Sequence, residues 1–114
     1  MGNYTTRLEL VNADPGDYTL LHQEMRDREF YLAVESCGIW YDMPTGSYDR
    51  TSTAELGIVY EDAVSAAQAV INNKPLNNSQ QPKSYLLIVT NNSDYAIVLP
   101  HTTDISKLPP GASL

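Results

Sequence analysis

Residues 3–28 read NYTTRLELVNADPGDYTLLHQEMRDR, and the change of period inside this stretch decides the fold. From Asn3 to Asn12 the residues alternate. Tyr4, Thr6, Leu8 and Leu10 take one face and Thr5, Arg7, Glu9 and Val11 the other, the pattern of a strand buried on one side. Asp14-Pro15 then signals a helix start, with Asp14 as the N-cap and Pro15 at the first helical position, where no N–H donor is needed. Asp17 adds negative charge near the helix's positive end. Tyr18, Leu21, His22 and Met25 follow at spacings of three and four, which predicts a helix over 15–28 with one apolar stripe.

Beyond this unit, Phe30, Leu32 and Val34 return to period two and predict a second strand. Gly38 permits a bend or bulge, and Ile39-Trp40-Tyr41 carries the extended chain on to Pro44. After the turn residues Pro44-Thr45-Gly46-Ser47, the stretch 47–54 predicts a short polar third strand. A second helix is expected over 60–73, with Ala63, Val64, Ala67, Val70 and Ile71 inward and Glu61 and Asp62 in its first turn. A polar loop over 74–83 leads to the apolar strand 84–90, whose neighbour 95–99 is expected to return as a hairpin.

The order predicts an α+β fold, a ferredoxin-like βαββαβ sandwich with an extra C-terminal hairpin strand. One domain spans 1–100, and 101–114 reads as a flexible Pro-containing C-terminal tail. Two helices would cover one sheet face. The other carries Arg7 and Glu9 with either Tyr85, Leu87 and Val89 or Leu86 and Ile88, and such an open sheet face is expected to pair two copies as a homodimer.

Seven basic against 14 acidic residues give a net charge of −7, which disfavours sequence-blind attraction to nucleic acid or anionic lipid. It leaves room for a local basic site at Arg26 and Arg28. Cys37 is the one cysteine, so no intramolecular disulfide can form, and a reducing, cytoplasmic setting is expected. No leader-like apolar segment follows Met1, and no apolar run suits a membrane span, so no membrane partner is expected. His22 and His101 lie on different elements without a cysteine pattern, and neither a Gly-rich phosphate loop nor a nucleophile elbow occurs. No metal or cofactor is therefore expected.

One group of residues has chemical potential: Glu9, Asp14, His22 and Arg26, with Arg28 nearby. Cleaving RNA through its 2′-hydroxyl needs a base for that proton, an acid for the leaving oxygen and a cation beside the developing charge. His22 or Glu9 suits the base and Arg26 the cation. Structural roles fit the same residues: Asp14 as a cap, His22 packed beside Tyr18, and Arg26 and Arg28 as charges favourable at a helix C-terminus.

Tyr4…Arg7-Leu8-Glu9-Leu10, Asp17-Tyr18 followed by Leu21-His22 and Met25, then Phe30, Gly38, Tyr41-Asp42-Met43-Pro44 and Tyr48 resemble the GhoS-type antitoxin family over roughly residues 3–90. These are small bacterial and phage-associated proteins similar in fold to the ferredoxin-like nucleases of CRISPR adaptation. The resemblance implies an antitoxin that works as an endoribonuclease on its partner toxin's messenger, with little or no need of a metal. It places the family's helix-one arginine on Arg26 and an acidic residue near the first strand's end on Asp14. The 74–83 loop and the Pro-containing tail fall outside the shared pattern.

Two readings stand. In one the chain is an antitoxin-type endoribonuclease acting on single-stranded RNA through Arg26, His22, Asp14 and Glu9. In the other it is a non-catalytic, acidic, dimeric binding module, a phage-encoded regulator or inhibitor that engages a basic surface on a host protein.

Overall fold

A computed structural model describes residues 2–92 and 97–114 of the chain. The alternating stretch forms β1 (Gly2–Val11), with Tyr4, Thr6, Leu8 and Leu10 buried and Arg7 and Glu9 exposed. The helix after it, α1 (Asp17–Asp27), starts two residues later than the sequence signal suggested. Pro15 and Gly16 are the middle of a turn closed by Asp17 N–H donating to Asp14 O at 3.2 Å, and Gly16 sits at φ 93°. Proline before a left-handed glycine is turn chemistry, so the helix cannot begin until Asp17. Asp14 is therefore not the N-cap. The Asp17 carboxylate accepts from Asp14 N–H at 2.7 Å instead, and the Asp14 carboxylate accepts from Asn78 N–H at 2.8 Å.

The next segment also differs from expectation. Apart from isolated bridges, its strands form a hairpin of β2 (Ala33–Ser36) and β3 (Ile39–Asp42), a two-stranded antiparallel sheet. Cys37 and Gly38, at φ 52° and 79°, are the two left-handed residues of a tight hairpin turn rather than a bulge. β4 (Ser47–Ser52) pairs antiparallel with β1, and β5 (Ser84–Asn92) pairs antiparallel on β1's other side, in the order β4-β1-β5. Residue 31 continues outward from β4 by one bridge: Tyr31 and Asp49 exchange backbone hydrogen bonds of 2.8 Å each way. Of the expected hairpin strand 95–99, Tyr95 and Ala96 lie outside the described residues, and Ile97 to Leu99 carry no strand pairing.

α2 (Leu56–Asn73) begins four residues before Tyr60, and its buried stripe is Val59, Ala63, Ala66, Ala67 and Val70. Val64 and Ile71 are only half-buried, because the packing against α1 and β5 sets the inward direction. Small residues let this helix come close to the sheet. Leu21 and Met25 of α1, Phe30, Tyr48 and the β1 row complete one core. The molecule is thus an α+β fold with two helices, among the described residues, on one face of antiparallel strands.

The ambiguity about the other face resolves through register. Arg7 lies opposite Ile88 and Glu9 opposite Leu86, so Leu86 and Ile88 share their helix-free face and are 60% and 63% exposed. The segment 101–114, expected as a flexible tail, lies against the domain. It holds a 3-10 turn (Ile105–Lys107), Thr102 N–H donates to Trp40 O at 3.1 Å, and Leu108 is buried. Among the described residues no helix is long and apolar enough to cross a membrane.

Candidate active site

Helical geometry puts residues four apart one above the other, and His22 and Arg26 are such a pair on α1. Both line a cleft of about 390 Å³ whose other walls are Phe30, Tyr31 and Leu32 on one side and Ser106 and Lys107 on the other. Arg26 Nη1 donates to Ser106 O at 2.8 Å and to Leu108 O at 2.9 Å. Its guanidinium carbon stands 5.4 Å from the centroid of the Tyr31 ring, a cation–π contact. One nitrogen thus clasps the end of the chain. A guanidinium has five N–H groups, so donors remain for a ligand.

The His22 ring lies between Tyr18 and Tyr48, with centroids 6.4 and 5.7 Å away, and its Nδ1 is 2.6 Å from the Tyr48 hydroxyl. Burial, then the positive charge of Lys107, hold its pKa below the ordinary imidazole value, so the ring is neutral at pH 7. Lys107 itself is tied to the Asp42 carboxylate at 3.1 Å. Among the described residues no carboxylate lines the cleft.

The structure separates Glu9 and Asp14 from this pair. Glu9 is exposed on the helix-free face of the sheet. Asp14 belongs to an ion cluster in which Lys83 reaches Asp17 at 2.9 Å and Asp14 at 3.2 Å, with Lys74 at 3.1 Å from Asp14. The Asn78 N–H, against the cost of burial and helped by Lys74 and Lys83, lowers the Asp14 pKa, so the carboxyl stays ionised and binds the 74–83 loop to the start of α1. Arg28 pairs with Glu24 at 3.1 Å along the helix. Of the four candidates, His22 and Arg26 come together and the two acids do not.

Sequence reasoning missed Tyr31, Tyr48 and Lys107 as neighbours of the cleft. Tyr48 carried a signal, since Tyr48 and Arg50 sit two apart in a six-residue strand and so share its buried face. Lys107 carried none, because its position follows from the path of the tail.

No family model, curated protein or solved structure matches this chain.

A second cavity of about 370 Å³ lies on the helix-free side, lined by Asn3, Thr5, Val34, Met43, Asp49 and Thr90 among others, with no cation among the described residues that line it. Burial alone pushes the Asp49 carboxyl up to about 7. A site that is mostly apolar and offers an acid but no cation suits a phosphate poorly. Among the described residues no group of three or more His, Cys, Asp or Glu side chains could hold a metal ion.

Proposed function

We propose that this chain is an antitoxin-type endoribonuclease of the GhoS kind, which takes the phosphodiester of single-stranded RNA into the His22–Arg26 cleft. The observation that carries this reading is the convergence of Arg26, a neutral His22 and the Tyr31 ring on one cleft without a carboxylate among the described residues, in a protein whose net charge is −7. A cationic guanidinium and an imidazole one helical turn apart match two neighbouring phosphate oxygens. Tyr31 offers a face on which a base can stack.

In such a cleavage the 2′-oxygen gives up its proton to water and attacks phosphorus, the bond to the 5′-oxygen breaks, that oxygen takes a proton from water, and a cyclic phosphate and a 5′-hydroxyl result. Arg26 would stabilise the charge that develops on the non-bridging oxygens. The ferredoxin-like reading draws support from the strand order β4-β1-β5 and from the Tyr31–Asp49 bridge on the outer side of β4, where a βαββαβ sheet would carry its fourth strand. A cytoplasmic setting accords with the exposed, unpaired Cys37.

The test is cleavage of a single-stranded RNA in the presence of EDTA. Wild type should cut, and Arg26→Ala should lose about 10²–10³-fold in rate, the usual loss for one transition-state donor. Cleavage at equal rates by both proteins would remove Arg26 from the site. No cleavage by wild type would leave the second reading.

That reading, a dimeric acidic module binding a basic host protein, is favoured by one observation. Leu86 and Ile88 stand exposed on β5 beside Glu9 and Arg7 of β1 on the helix-free face. A two-fold pairing of such faces would bury the apolar pair and oppose each Arg7 with a Glu9.

A further inference from the structure

Tyr48 is wholly enclosed on β4 beneath α1, and among the described residues its hydroxyl has one hydrogen-bond neighbour, His22 Nδ1 at 2.6 Å. Either atom could in principle carry the shared proton. A protonated Nδ1 would donate to the phenol oxygen and leave the phenol's own proton buried without an acceptor, at the full desolvation cost of a hydroxyl. The reverse arrangement, phenol O–H donating to Nδ1, satisfies both groups. Burial holds the phenol protonated, with its pKa pushed well up, so the proton is always there to give.

A neutral imidazole that accepts at Nδ1 carries its hydrogen on Nε2. We propose that Tyr48 is a positioning residue that fixes His22 as the Nε2–H tautomer, so that His22 and Arg26 form a two-donor site for an unprotonated phosphodiester. The inference rests on the RNA reading of the cleft and changes one role within it. His22 holds a phosphate oxygen and does not take the 2′-hydroxyl proton. His22 and Arg26 then both donate, and such a pair suits a group that only accepts hydrogen bonds, as a phosphodiester does, better than an ammonium.

The experiment is a long-range proton–nitrogen correlation spectrum of the imidazole nitrogens in the full-length protein at pH 7.5, followed by titration with a 2′-deoxy single-stranded oligonucleotide that cannot be cleaved. Wild type should show His22 protonated at Nε2, with that proton shifting on addition of the oligonucleotide. Tyr48→Phe should give a mixture of tautomers and bind about threefold to tenfold more weakly, the usual worth of one hydrogen bond. The wild-type spectrum decides the tautomer even where the variant folds poorly. A wild-type Nδ1–H signal overturns the assignment, and an unchanged Nε2–H signal in a folded Tyr48→Phe overturns the role of Tyr48. An Nε2–H tautomer whose signals ignore the oligonucleotide leaves the assignment standing but removes the phosphodiester from the cleft.

Discussion

Asp49 shows how far one residue's surroundings decide its chemistry. It sits on the helix-free face of β4, opposite Thr5, and burial alone raises its carboxyl to about 7 from the usual 3.8. Between those values the folded protein holds a proton that the unfolded chain has released. Stability from this group is therefore complete below 3.8, falls as pH rises through the window and levels off above about 7. Asp49→Asn removes the effect. Thermal melts at pH 5 and pH 8 should show the wild type losing more stability than the variant between them, and parallel losses would contradict the burial argument.

At the same scale, His22 and Arg26 were legible because a helix with a clear period places i and i+4 together. Asp14 misled because Pro15-Gly16 makes a turn where Pro15 alone would suit a helix. Its carboxylate answers to Asn78, Lys74 and Lys83, which are distant in sequence.

Among the elements, α1 and β1 could be read directly, since each buries one face and the hydrophobic period reports it. The sequence of β4 shows a polar strand with no sign of its burial, and for a physical reason. Its polar Arg50 is buried only because Asp62 on α2 meets it at 2.8 Å and the Phe30 ring lies 5.1 Å from its guanidinium carbon. Such long-range satisfaction leaves no trace in local pattern. The tail is a similar case. Leu108 is an ordinary leucine in a Pro-containing stretch until Arg26 clasps the carbonyls of Ser106 and Leu108. Leu108→Ala should cost about 2–5 kcal/mol in chemical denaturation, the range for emptying a fully buried leucine site. A cost under about 0.5 kcal/mol, the range of an exposed surface change, would mean that the tail does not pack in solution.

For the whole molecule, two layers produce two unlike surfaces. The helix side ends in a small cationic cleft beside the tail. The sheet side is covered around Asp49 but open around Arg7 and Glu9, and only register could show that Leu86 and Ile88, rather than Tyr85, Leu87 and Val89, face outward there, because a near-continuous apolar strand hides its own alternation. If the open face pairs two copies, light scattering at tens of micromolar should give a dimer mass for wild type and a monomer mass for the double variant Leu86→Glu, Ile88→Glu. A wild-type monomer at that concentration would contradict the pairing.

The central claim is that the cleft on α1, not the open sheet, receives single-stranded nucleic acid. Amide chemical-shift mapping of the wild-type protein with the uncleavable 2′-deoxy oligonucleotide tests it most directly. Shifts concentrated at His22, Arg26, Tyr31 and Lys107 are the predicted result. Shifts confined to Arg7, Glu9, Leu86 and Ile88, or none at saturating oligonucleotide, would contradict it.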